Sequence, residues 1–385
     1  MTESSTRTPS LVARDDFPVL FKVLQEAGYD LVGPTVCDHA IVYESIGGVD
    51  DLPIGWTDEQ EAGSYRIKPR NDKALFGFNV GPHSWKKFLH RPSISLWKAH
   101  KKESGFVVSV TDELVPKQAF IGVRSCELHA IAIQDRVLMG DCFVDSSYAA
   151  RRQNIFTVAV QCTQAGGTCF CVSMNSGPKA DNGYDLAVTE LIDGDYHRFL
   201  IESGSDAGDE ILSQVPGVAA NQHDYDQAER AIASAASQMG RHLDTTDIRD
   251  LLYRNTENNH WEKIAERCLS CTNCTMVCPT CFCTTVEDVT DLEGEIAERV
   301  RHWDSCFNAN FSFLHGGVVR QSTASRYRQW MTHKLASWQD QFGSSGCVGC
   351  GRCVSWCPVG IDITEEANAI RRSDLGGKTP TIVEP

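Results

Sequence analysis

The chain carries one cysteine pattern twice: Cys268-x2-Cys271-x2-Cys274-x3-Cys278-Pro279, then Cys347-x2-Cys350-x2-Cys353-x3-Cys357-Pro358. Three cysteines at this spacing wrap one side of an iron–sulfur cubane in a tight loop. The fourth cysteine of each run serves the other cluster in two-cluster ferredoxins, and the proline turns the chain away. One [4Fe–4S] cluster is therefore assigned to Cys268, Cys271, Cys274 and Cys357, and a second to Cys347, Cys350, Cys353 and Cys278. Zinc motifs pair two short C-x2-C units instead. No cysteine is missing from either run, so neither cluster should be a three-iron form or expose an open iron. Full ligation points to electron transfer, not bond chemistry.

The 17 cysteines of this 385-residue chain are odd in number and clustered, which fits thiolate ligation in a reducing compartment better than a disulfide framework. The net charge of −15 argues against a nucleic-acid binder, which neutralises phosphates with Lys and Arg. It fits a protein that docks with other proteins. Mean hydropathy is −0.27, and no apolar run approaches the roughly 18–20 residues that span a bilayer. Met1 to Ser10 is polar, without a secretory h-region or a twin-arginine signal, so a cytoplasmic location is expected.

The expected fold is α+β overall: an N-terminal α/β domain followed by a mainly helical, two-cluster ferredoxin-like domain. Residues 1–12 read as a disordered tail, 13–246 as the α/β domain and 247–385 as the dicluster domain. The apolar runs Ala119–Val123 and Ile155–Val160 predict buried strands. A helix over about Leu128 to Leu138 between them predicts a parallel βαβ unit. The stretch from Ser203 to Asp244 reads as a surface excursion and then a helix. Asp247–Cys268 reads as helical, as do most of the about seventy residues between the two runs. Tyr327, Met331, Leu335, Trp338 and Phe342 recur at helical steps and predict one core-facing stripe. The tail after Asp362 predicts a short charged helix and a Pro-rich end.

A second constellation lies upstream. Cys126 follows one predicted strand and Cys162 the next, which puts both at the carboxyl edge of the sheet, where α/β folds place their sites. Gly166 and Gly167 allow a tight loop returning Cys169 and Cys171. These four thiols can hold a third [4Fe–4S] cluster; buried inert thiols and a structural zinc are the alternatives. Cys281, Cys283 and Cys306 follow the first run without an obvious fourth partner. They read as structural thiols, with a metal role as the alternative. Cys37 and Cys142 are isolated. His39, His129, His302 and His333 read as structural. Arg124, Arg136, Arg151, Arg152, Arg320, Arg326 and Arg328 either stabilise reduced clusters, mark a docking face or pair with surface carboxylates. No Walker A loop, G-x-G-x-x-G after a strand, H-E-x-x-H or G-x-S-x-G is present, so no catalytic residue is assigned and FAD is not expected on this chain.

Several segments together resemble a known family. They are Gly122-Val-Arg-Ser-Cys126-Glu-Leu-His-Ala-Ile, Gly167-Thr-Cys169-Phe-Cys171-Val-Ser-Met, Cys278-Pro-Thr-Cys281-Phe-Cys283, Trp303-Asp-Ser-Cys306, Arg326-Tyr-Arg-Gln-Trp330-Met-Thr-His-Lys334 and Gly346-Cys-Val-Gly-Cys-Gly-Arg-Cys353. The combination is similar to the beta subunit of cytosolic NAD(P)-linked [NiFe] hydrogenases, or sulfhydrogenases, over most of the chain from Ile121. It resembles the iron–sulfur subunit of anaerobic sulfite reductase more distantly. The resemblance implies an electron-transfer subunit between the large and small [NiFe]-hydrogenase subunits and an NAD(P)-binding flavoprotein subunit carrying FAD and a [2Fe–2S] cluster. It makes a role for Cys281, Cys283 and Cys306 more open. A fainter likeness of the Cys126 and Cys162–Cys171 region to the flavin- and cluster-binding subunit of F420-reducing enzymes supports the third cluster and leaves a bound flavin as an alternative.

Overall fold

The computed structural model describes residues 9–110, 114–140, 142–194 and 196–376. Of the sixteen strands among the described residues, fourteen are used below and named in chain order: β1 (Ser10–Ala13), β2 (Asp30–Cys37), β3 (Ala40–Ser45), β4 (Trp56–Glu61), β5 (Ser64–Pro69), β6 (Ser93–Lys102), β7 (Gly105–Ser109), β8 (Gln118–Val123), β9 (Ile155–Val160), β10 (Leu186–Asp193), β11 (Tyr196–Ser203), β12 (Val218–Ala219), β13 (Thr284–Thr290) and β14 (Ile296–Trp303). Eight of them form one mixed sheet in the order β12-β1-β11-β10-β9-β8-β2-β3. Its centre is parallel, β2 with β8, β8 with β9 and β9 with β10, and its flanks are antiparallel. The apolar runs of β8 and β9 are buried on both faces, as central parallel strands are. The Ser125–Met139 helix connects them, which gives the predicted βαβ unit.

Two expectations are corrected. The tail reading fails for its last residues: β1 pairs with β11 and β12, because Leu11 and Val12 bury their side chains. Residues 1–8 lie outside the described residues, as does the Pro-rich end, 377–385. The insert between the cysteine runs is helical only in its second half. Its first half forms the β13–β14 hairpin, where Thr284, Val286, Val289 and Val300 supply β-branched side chains. That hairpin completes a second sheet, β13-β14-β6-β7, in which Ile296–His302 pairs antiparallel with Ser93–His100. The sheet thus takes strands from both halves of the chain.

The C-terminal half is built on helices Ile248–Arg254, His260–Ala265 and Thr323–Thr332. The last continues through a π-helical turn, His333–Ser337, into Trp338–Phe342. Tyr327, Met331, Leu335 and Trp338 are buried along it, as their helical spacing predicts. Gly343 ends the helix at φ +67°, the left-handed cap that favours glycine. The charged helix after Asp362 spans Ile363–Gly376.

Candidate iron–sulfur sites

Cys126 stands in the first turn of the helix that follows β8, and Cys162 just beyond β9. Neighbouring parallel strands therefore bring them to one edge of the sheet. The loop after Cys162 returns Cys169 and Cys171, and all four cysteines line one cavity. Cys350, from the second run, lines the same cavity. The close approach is made by backbone. The Phe170 N–H donates to the Gly349 carbonyl at 2.8 Å. Gly349 and Gly351 sit at φ +63° and +73°. A Cβ on Gly351 would stand 2.2 Å from the Thr168 carbonyl oxygen, and one on Gly349 2.6 Å from that of Phe170. Only glycine allows the second cysteine run to lie this tightly on the upstream loop.

Cys268, Cys271, Cys274 and Cys357 line a separate cavity against Phe307, Tyr327 and Trp330. Cys353 reaches its wall as well. Cys347, Cys350 and Cys353 interact electrostatically with one another and with Cys278. Each expected quartet is therefore brought together, and the quartets adjoin. Cys281 meets Cys278, and Cys283 meets Cys306. Cys37 and Cys142 are exposed. Among the described residues no histidine lines either cysteine cavity.

The electrostatics suit clusters. Burial pushes the Cys169 and Cys347 thiols up to about 12 and raises Cys126, Cys274 and Cys353 well above the usual range. Such thiols ionise only when a metal takes up the charge. Among the described residues no group of three or more His, Cys, Asp or Glu is placed to hold a single metal ion. A cubane has an iron at each of four corners, so its thiolates stand wider apart than those around one zinc. Cys278 is held well below the usual range, first by a hydrogen bond from the Cys281 thiol and then by the Lys334 ammonium.

Four charged residues, Arg352, Glu127, Lys334 and Lys86, were missed by sequence reasoning. Arg352 lies inside the second run and pairs with Glu127 at 2.5 Å, both side chains buried. The pair acts on Cys126 and Cys350, one from each adjoining site. Lys334 projects from the π-helical turn and donates to the Cys278 Sγ at 3.1 Å. Lys86 is buried beside Cys281, Cys278 and Cys283. Arg352 and Lys334 stand within recognisable motifs; Lys86 has no local signal at all. The arginines singled out from sequence mostly tie elements together. Arg124 donates to the carbonyls of Phe76, Phe78 and Gln161, Arg136 to that of Phe342, and Arg152 pairs with Asp135. Arg326 also acts on Cys268.

Residues 267–361 match the family model of a 4Fe-4S dicluster domain. Over 358 residues the chain is 30% identical to sulfhydrogenase 2 subunit beta of Pyrococcus furiosus (strain ATCC 43587 / DSM 3638 / JCM 8422 / Vc1), covering 92% of this chain and 96% of that protein. No solved structure matches.

Proposed function

Because the chain belongs to the sulfhydrogenase beta-subunit family and carries a 4Fe-4S dicluster domain, we propose that it relays electrons between a [NiFe]-hydrogenase module and an NAD(P)-linked flavoprotein subunit. It is an iron–sulfur electron-transfer subunit. The relay uses the two crossed quartets of the dicluster runs and a third [4Fe–4S] cluster on Cys126, Cys162, Cys169 and Cys171. One observation carries this reading. Cys350 lines the upstream cavity and Cys353 the downstream one, and both belong to the quartet between them. This adjacency supports an unbroken series: upstream cluster, second cluster, first cluster. The protein's own part is to hold thiolates, exclude water and supply fixed cations. The clusters supply one-electron chemistry. A cytoplasmic location belongs to the same proposal; among the described residues no helix is long and apolar enough to cross a membrane.

The test is made on the assembled, anaerobically purified complex. Cys126→Ser with Cys169→Ser should remove roughly four irons and four acid-labile sulfides, leaving the EPR signals of the two dicluster centres. Hydrogen-driven reduction of NAD(P) should fall at least tenfold, while hydrogen oxidation with a dye that takes electrons at the nickel subunit is retained. Unchanged coupling to NAD(P) in that variant would sink the relay. A stoichiometric flavin and NAD(P)H oxidation by the isolated chain would sink it too.

A further inference from the structure

Two polar hydrogens are buried on the wall of the first cysteine cavity with no acceptor in the chain. Tyr327 and Trp330 stand one turn apart in the Thr323–Thr332 helix, a spacing that puts both on one face. Each is 3% exposed, and both line the cavity lined by Cys268, Cys271, Cys274 and Cys357. Neither the Tyr327 hydroxyl nor the Trp330 Nε1 has a hydrogen-bond partner among the described residues. Buried tyrosine hydroxyls and indole N–H groups normally find one, because an unmade bond carries the full desolvation cost of the donor.

The two rings are held in place. Their centroids lie 5.2 Å apart, and the Phe307 ring packs 6.0 Å from each. The Phe307 N–H donates to the Ser305 hydroxyl at 3.1 Å, which in turn accepts from the Thr275 hydroxyl at 2.8 Å. The aromatic wall is thereby tied to the Asn273–Met276 helix of the first cysteine run. Burial, with Glu366, Cys274, Cys353 and Cys268 adding to it, raises the Tyr327 hydroxyl well above its usual range, so it keeps its proton and stays a donor. Lys334 continues the same spacing: Tyr327, Trp330 and Lys334 stand at i, i+3 and i+7, and the Lys334 Nζ lies 5.9 Å from the Trp330 ring centroid.

We infer that the Tyr327 hydroxyl and the Trp330 indole N–H donate hydrogen bonds to sulfur atoms of the first cluster and raise its reduction potential. This rests on the dicluster reading, which places that cluster at Cys268, Cys271, Cys274 and Cys357. Hydrogen bonds to cluster sulfur favour the more negative, reduced state. One continuous helix then tunes both dicluster centres. Its Tyr327 and Trp330 supply neutral donors to the first, and its π-helical turn supplies the Lys334 ammonium to Cys278 of the second.

The full-length chain, purified anaerobically, is followed by EPR-monitored redox titration. Cys271→Ser, at an exposed ligand, identifies the first cluster as the signal it alters. In Tyr327→Phe, which removes only the hydroxyl, that cluster should become roughly tenfold harder to reduce, a downward shift of about 59 mV for one electron. Iron, acid-labile sulfide and the potential of the second cluster should be kept. Trp330→Phe should shift the first cluster in the same direction, and it decides the matter if Tyr327→Phe does not fold. Looser packing that admits water would move the potential up instead, because water stabilises the more negative cluster. An unchanged or raised potential therefore overturns the inference. If Cys271→Ser leaves every signal and the iron content unaltered, the cluster assignment itself fails and the donors with it; a first cluster whose potential ignores both aromatic substitutions overturns the donors alone.

Discussion

At the scale of single residues, three charges set the properties of the sites. The Lys334 ammonium donates to Cys278 Sγ, and a cationic hydrogen bond to a ligand sulfur favours the more negative, reduced cluster. Lys334→Met should lower the potential of the second cluster by on the order of 50 mV, taking about 1 kcal/mol for the lost bond and one electron; EPR-monitored redox titration reads the shift. Arg352 and Glu127 are a buried pair. Removing either partner strands a charge and should destabilise by about 3–5 kcal/mol, whereas Arg352→Met with Glu127→Leu should recover much of that. Denaturation of the four proteins of this double-mutant cycle tests it. Burial, with Arg301 and Lys86 repelling and Asp145 opposing, pushes the His90 imidazole down to about 4, and neither ring nitrogen has a hydrogen-bond partner among the described residues. The unfolded chain takes that proton near 6.5. Native stability from His90 is therefore full above about pH 6.5 and is lost as pH falls towards 4, by at most ~3 kcal/mol. His90→Phe should flatten the stability curve between pH 6.5 and 5, and parallel curves for variant and wild type would contradict this assignment.

At the scale of elements, glycines show how closely loops must pass. Gly343 caps a helix at φ +67° with nothing within 4 Å of a Cβ, so Gly343→Ala should cost only about 1 kcal/mol of backbone strain. Gly351 has similar dihedrals, but its Cβ would strike the Thr168 backbone. Gly351→Ala should therefore destabilise by several times as much, on the order of 3 kcal/mol, and weaken retention of the upstream cluster as well. Thermal unfolding of the two variants side by side, with iron counted in each, checks both parts. The π-helical turn acts on the same scale. It interrupts the regular helix at His333–Ser337 and carries Lys334, whose side chain reaches the Cys278 sulfur.

For the whole molecule, the β14–β6 pairing and the glycine contact between the second run and the upstream loop join the two halves. Residues 247–385 expressed alone would expose the β14 edge and the surfaces that cover Cys350. Such edges invite aggregation. That fragment should be insoluble or unable to retain its irons, and limited proteolysis of the whole chain should not release a stable C-terminal piece. A soluble fragment with its irons retained would show that the dicluster half folds independently. Cys350 and Cys353 each line a different cysteine cavity, which on the proposed relay would put the second cluster between the other two.

The local chemistry was legible because ligand spacing is a property of sequence. The doubled cysteine spacing falls within the residues that match a 4Fe-4S dicluster domain, and two apolar runs flanking a helix, β8 and β9, form the parallel unit that such an order favours. The upstream quartet followed from that topology, since cysteines just past adjacent parallel strands share an edge. The helical stripe from Tyr327 to Trp338 was visible for the same periodic reason. What the sequence by itself left undetermined came from long-range pairing. The β13–β14 hairpin is a strand pair because β6, nearly 200 residues earlier, offers it an edge. Lys86 reaches the cysteines only because the Trp303 loop packs on its segment. The dicluster pattern is written in short-range spacing; which cysteine groups adjoin, and which buried cations face them, depends on contacts that only the folded chain makes.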